Sequence, residues 1–164
     1  MLLTTILALS LRLAPAALPA QQDTSQAAAR REVLAVVQRL FDAMRTKDTV
    51  AFRSVFEPGA RLVGMRRRAD GEQVVQVLPW ERFMTMAVSD TRGEWIERAF
   101  EPVVTIRGTL ATVWAEYDFH FGSRPSHCGV DAVQLLRTAA GWKIVSIADT
   151  FETEGCPARE PPRD

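Results

Sequence analysis

Residues 126–156 read SHCGVDAVQLLRTAAGWKIVSIADTFETEGC and hold both cysteines of the chain and one of its two histidines. Val, Ile and Leu alternate with polar residues on both sides of "TAAG", the pattern of two β-strands joined by a tight turn. If the turn spans Thr138–Gly141, Arg137 lies opposite Trp142 and Asp131 lies opposite Ala148. One face then carries His127, Gly129, Asp131, Val133 and Leu135 beside Trp142, Ile144, Ser146, Ala148 and Thr150. The other carries Cys128, Val130, Ala132, Gln134 and Leu136 beside Lys143, Val145, Ile147, Asp149 and Phe151. Both faces are half apolar, which suits a sheet covered on each side: by helices within, and by a second subunit without.

Working outward, "EWIERAFEPVVTIRG" and "TLATVWAEYDFHFG" are two more strand-like runs separated by Gly-containing turns. In the second run Tyr117 and Phe119 alternate with Glu116, Asp118 and His120. The loop "GSRPS" does not fix which set shares a face with His127. The aromatic set is expected inward, because burying three ionisable groups without partners is costly. Upstream, Val33, Val36, Val37, Leu40, Phe41 and Met44 form one stripe of an amphipathic helix over 25–47. Asp48 is a natural N-cap for a second short helix, "DTVAFRSVFEPG", with Phe52, Val55 and Phe56 inward and Pro58 and Gly59 at its end. "ARLVGMRRR" and "EQVVQVL" flank an Asp-Gly turn and form a hairpin. "PWERFMTMAVSD" opens on Pro and spaces Trp80, Phe83, Met84 and Ala87 as a third helix.

This order predicts an α+β domain over 26–156, with helices on one face of an antiparallel sheet. The tail "PAREPPRD" lacks large apolar residues and is expected to be disordered. Twenty basic residues balance twenty acidic ones, against the basic excess of a nucleic-acid binder. Arg66, Arg67 and Arg68 form the one basic run, read as a solvated hairpin end or as a contact for phosphate or carboxylate. The apolar stretch Leu2–Leu11 is too short to span a bilayer, which needs about 20 apolar residues, and has the length of a signal-peptide core. Residues 1–20 are therefore expected to direct export to the periplasm or beyond, with cleavage after Ala20 or near Ala16 or Ala17 and no membrane association afterwards. In such an oxidising compartment Cys128 and Cys156 are expected to pair. A catalytic thiol beside His127 is disfavoured, because adjacent strand residues point to opposite faces.

"VLAVVQRLFDAMRTKDTVAFRSVFEPGARLVG" resembles the opening of many members of the nuclear transport factor 2-like superfamily, shared by ketosteroid isomerases, SnoaL-like cyclases and scytalone dehydratase. "ATVWAEYDFHFGSRPSHCGVDAVQLLRTAAGWKIVSIADT" is similar to its lumazine-binding-like subset. The resemblance implies a cone-shaped fold, its strongly curved antiparallel sheet covered by three N-terminal helices, with a small-molecule pocket between them. Tyr117, Phe119, His127 and Asp131 are then expected to line the pocket, with Phe41 and Trp80 from the helices. His127 and Asp131 lie roughly 13 Å apart along one strand and form no direct dyad.

The leading expectation is an exported, dimeric domain that binds a small organic ligand. A cofactor-free isomerase, cyclase or dehydratase would use Asp131 as general base, Tyr117 as hydrogen-bond donor and His127. A dimeric protein-interaction module is the third. The isomerases' pattern of a Tyr on the first helix and an Asp on the first strand is missing, since Phe41 is the only aromatic of that helix and "ARLVGMRRR" has no acid. No cofactor is expected, and two histidines without HxH or HExxH spacing imply no metal. Asp149 is expected on the far face with Cys128, capping a turn or meeting a second subunit.

Overall fold

The computed structural model describes residues 19–68 and 70–162. The export segment expected at 1–20 lies outside these residues save for Pro19 and Ala20, and the expected cut after Ala20 falls in the first turn of the first helix. The elements are α1 (Pro19–Thr46), α2 (Thr49–Val55), β1 (Phe56–Arg67), β2 (Gln73–Pro79), α3 (Trp80–Ser89), β3 (Trp95–Arg107), β4 (Leu110–Phe121), β5 (Arg124–Thr138) and β6 (Gly141–Asp149). The strands form one six-stranded sheet in the order β2-β1-β6-β5-β4-β3. All neighbours are antiparallel except β1 and β6, which run parallel.

The α1 stripe packs onto the sheet as its period requires: Val33, Val37, Leu40, Phe41 and Met44 are buried. Asp48 accepts hydrogen bonds from the backbone N–H groups of Val50 and Ala51 at 2.8 and 3.0 Å, capping α2. Phe52, Val55 and Phe56 point into the core. α2 does not run on to Pro58 and Gly59, as the sequence suggested. Phe56 is already extended, with φ −93° and ψ 146°, and Pro58 biases the chain before it the same way. Pro58 and Gly59 lie inside β1, at a break in its register against β6 between Phe56 and Arg61.

Similar breaks interrupt the pairings of β3 with β4, β4 with β5 and β5 with β6. Bulges of this kind bend a strand and raise its twist, giving the sheet an inner face under the helices. The break against β6 falls between Gln134 and Leu135. Near the turn the expected register holds, with Leu135 opposite Ile144 and Arg137 opposite Trp142; beyond it Gln134 lies opposite Ser146 and Asp131 opposite Asp149. Val145 is the extra residue. Past it the faces of β6 exchange, so Ile147 and Asp149 turn inward while Ala148 turns outward.

Cys128 and Cys156 form a disulfide. The chain after β6 pairs with the Cys128 end of β5 through two backbone hydrogen bonds between Cys128 and Glu152, each 2.9 Å. The tail expected to be disordered holds no helix or strand over 157–162, yet it is tethered. Arg159 lies over the Phe100 ring at 3.5 Å and pairs with Glu116 at 2.6 Å, and the Glu160 carbonyl accepts from Arg98 at 2.8 Å. Among the described residues no helix is long and apolar enough to cross a membrane.

Candidate functional site

Between the inner face of the sheet and helices α1 and α3 lies a hollow of about 270 Å³. Leu40, Phe41 and Met44 of α1 and Phe83 of α3 form its helical wall. Five of the six expected pocket residues, Phe41, Tyr117, Phe119, His127 and Asp131, line it together. The alternation along β4 resolves in favour of the aromatic set: Tyr117 lies opposite Gly129 and Phe119 opposite His127. Trp80 does not line the hollow. It is buried against the Phe56 ring, stacked at 5.3 Å, and so belongs to the core.

His127 is held between two rings, Phe119 at 4.7 Å and Phe151 at 4.0 Å, both nearly parallel to the imidazole. Its Nδ1 lies 3.1 Å from Ser126 Oγ. Burial pushes its pKa down to about 4, assisted by the charge of Arg66 and then that of His120, so the imidazole is neutral at pH 7. Tyr117 donates its hydroxyl to the Thr150 carbonyl at 2.7 Å. Burial, then the charge of Glu97, raises that phenol far above its usual value. It is therefore a fixed donor already engaged by the backbone.

Three carboxyls meet on the inner face. Glu97 of β3, Asp131 of β5 and Asp149 of β6 all line the hollow. Glu97 and Asp131 share a hydrogen bond. Burial, then the charge of Asp131, lifts Glu97 well above the usual carboxylate range. Burial also lifts Asp131 to about 7, opposed by the hydrogen bond with Glu97 and assisted by the charge of Asp149. Two such groups in contact cannot both ionise cheaply, so one proton stays between them. Asp149 is raised by burial too, but Arg66 reaches it at 2.6 Å and opposes that rise. Arg66 thus leaves the basic run and turns into the hollow, its guanidinium 5.1 Å from the Phe151 ring. Its neighbours stay at the hairpin end, Arg67 donating to the Gly71 carbonyl and Arg68 pairing with Glu72.

Asp149 was expected on the far face; the Val145 bulge reverses its side. Glu97 drew no attention in the sequence, although strand parity from Trp95, an aromatic that faces inward, would have placed it there. Asp118 and His120 do face outward, but they are buried rather than solvated. Arg98 grips Asp118 through two nitrogens at 2.8 and 2.5 Å, and His120 Nε2 lies 3.5 Å from the same carboxylate. Among the described residues no group of three His, Cys, Asp or Glu side chains is arranged to hold a metal ion.

Comparison with known proteins follows the same lines. The model of the family described as "Putative lumazine-binding" matches residues 28–148. No curated protein matches the sequence. Among solved structures, an NTF-2 like protein of unknown function from Silicibacter pomeroyi superposes with a TM-score of 0.57 at 20% identity, covering 79% of this chain and 98% of that one. An NTF2-like protein with a cystatin-like fold from Novosphingobium aromaticivorans gives 0.63 at 12% identity over 84% and 90% of the two chains. An NTF2-like superfamily protein from Salmonella enterica gives 0.62 at 12% identity over 80% and 96%. At these identities the likeness is one of fold.

Proposed function

The chain belongs to the family described as putative lumazine-binding, within the nuclear transport factor 2-like superfamily, and from that premise we propose that it binds a small, partly apolar organic molecule in the hollow. The observation that carries this reading is the composition of the walls: Phe41, Tyr117, Phe119 and His127 offer ring surface, while half-buried Glu97 and buried Asp131 offer polar groups. Pockets for small molecules combine an apolar lining with a few fixed polar groups in this way. The volume, about 270 Å³, limits the ligand to a compact one or two rings.

Thermal shift against a panel that includes lumazine tests the proposal. A ligand at a hundred times its Kd stabilises by about 2.7 kcal/mol. The expected result is a saturable rise in Tm that disappears in Asp131→Ala and His127→Ala. Variants that keep the full rise would move the site elsewhere.

The contrast between Asp149, paired with Arg66, and Asp131, paired with another acid, favours a second reading. Carboxyls whose surroundings push their pKa values apart are the usual makings of an acid and base pair. The reaction would be a cofactor-free isomerisation, cyclisation or dehydration, and exchange of solvent deuterium into a bound carbon acid, abolished by Asp131→Asn, is its assay.

Export and a homodimer complete the proposal. The disulfide supports the first, and intact mass of periplasmic material with and without reductant checks it. For the second, Val103 and Trp114 pair across β3 and β4 and are 60% and 59% exposed. Sedimentation of wild type and Trp114→Asp decides whether that face joins two copies or a different protein.

A further inference from the structure

Charge inside the hollow does not balance. The ionisable side chains on its wall, besides the neutral His127 and the engaged Tyr117, are Arg66, Arg92, Glu97, Asp131 and Asp149. Both cations are already occupied: Arg66 holds Asp149 at 2.6 Å, and Arg92 holds Asp90 at 2.5 Å while lying over the Phe121 ring. Glu97 and Asp131 are left with each other. Among the described residues no Lys, Arg or His nitrogen lies within 4.0 Å of either carboxyl. Asp131 is only 6% exposed and faces the cavity. A carboxyl that deep is normally matched by a cation or by donors other than a second acid.

We infer that the hollow selects a protonated amine carried on a small ring system, with the nitrogen between Glu97 and Asp131 and the ring against Phe41, Tyr117 and Phe119. This rests on the proposal that the hollow binds a small molecule, and it names the class. A proton held between the two carboxyls is what keeps them together. An ammonium brings the same positive charge with up to three donors, so it replaces that proton, which leaves for the buffer. Ring faces around the nitrogen add attraction for a cation, because their negative quadrupoles face its charge. A carboxylate or phosphate ligand meets the opposite field at Glu97 and Asp131, since Arg66 and Arg92 are each held by another acid.

Isothermal titration of the full chain at pH 7 with 2-phenylethylamine, 2-phenylethanol, phenylacetamide and phenylacetate isolates the charge at nearly constant shape. The amine is expected to bind about tenfold more tightly than the alcohol and the amide, and more tightly still than the acid. Its heat is expected to vary with the ionisation enthalpy of the buffer, reporting the released proton. Glu97→Gln and Asp131→Asn are expected to erase the advantage of the amine over the alcohol; should either variant fail to melt cooperatively, the wild-type ranking and the proton release decide alone. Alcohol, amide or acid binding as tightly as the amine overturns the inference and leaves the pocket in place. An amine preference that survives both substitutions also overturns it, by placing the cation elsewhere. Silence from all four compounds and from the wider panel, lumazine included, overturns the ligand-binding proposal as well.

Discussion

Asp131 on β5 and Asp149 on β6 are direct cross-strand neighbours, although regular pairing outward from the Thr138–Gly141 turn would set them on opposite faces of the sheet. One extra residue, Val145, makes the difference. Like charges directly opposite in a sheet repel, and the protein answers from either side. Glu97 shares a hydrogen bond with Asp131, and Arg66 reaches Asp149 from β1.

Removing Arg66 therefore removes the only cation paired with Asp149 among the described residues. The carboxylate is 13% exposed at its side chain, and an unmatched hydrogen bond to a charged group costs about 1.5 to 3 kcal/mol. Arg66→Met is expected to lower stability by about that amount in urea melts. Asp149→Asn added to it is expected to recover part of the loss, because the buried charge is then gone. Arg66→Met melting like wild type would mean that the pair contributes nothing.

Stability should depend on pH through the same groups. Asp131, ordinarily 3.8, stands at about 7 in the fold, and Glu97 is raised as well. The folded state keeps these protons after the unfolded chain has lost them, so the stability they contribute is fully present below the unfolded value and is lost as pH rises through about 7. His127 acts the other way. Its pKa falls from 6.5 to about 4, so its contribution is present above 6.5 and is lost as pH falls through about 4. Three raised carboxyls, Asp149 included, against one imidazole leave a net fall in Tm from pH 4 to 7. In calorimetry His127→Asn is expected to steepen that fall and Glu97→Gln/Asp131→Asn to reverse it; identical profiles in all three proteins would refute the assignment.

Gly129 leaves no room for a methyl group beneath the Tyr117 ring. A Cβ there would lie 2.5 Å from the Thr150 carbonyl oxygen and 2.9 Å from a carbon of the Tyr117 ring. The first of these is backbone and cannot swing away. Gly129→Ala should cost about 1 to 3 kcal/mol, the usual range for overpacking, and should break the bond from Tyr117 to Thr150. Tyr117 is the only tyrosine, so the NMR resonances of its ring report the change directly.

Much of this was legible from periodicity. The α1 stripe, the Asp48 cap and the Asp-Gly hairpin are local signals, and each fixes its element without knowledge of the rest. The inward set Tyr117, Phe119, His127 and Asp131 follows from strand alternation and the cost of burying charge. Alternation fails where a bulge inserts a residue, and nothing in "KIVSIAD" marks Val145 as extra, so Asp149 was placed on the wrong side. Trp80 shows a different limit: helical spacing turns it inward, but its place along α3 puts it over Phe56 rather than over the hollow. Composition likewise describes the tail as polar without revealing that Arg159 finds Phe100 and Glu116.

That tail depends on its covalent anchor. The disulfide closes a loop with a sequence separation of 28, for which chain entropy gives about 3 to 4 kcal/mol. Beyond Cys156 the described contacts are polar or cationic: Arg159 with Glu116 and Phe100, and the Glu160 carbonyl with Arg98. The Glu116 side chain is 61% exposed, and exposed ion pairs contribute about 0 to 1 kcal/mol each. Such contacts hold a short segment only while its start is fixed nearby. Cys128→Ser/Cys156→Ser is expected to lower Tm and to expose the bond after Arg159 to trypsin, whereas the oxidised protein resists cleavage there. Equal cleavage at Arg159 with and without the disulfide would show that Arg159 does not need the anchor, and equal melting would show that the cross-link stabilises nothing. Because the first outcome reads the tail and the second reads the domain, the two roles of Cys128 separate in one pair of measurements.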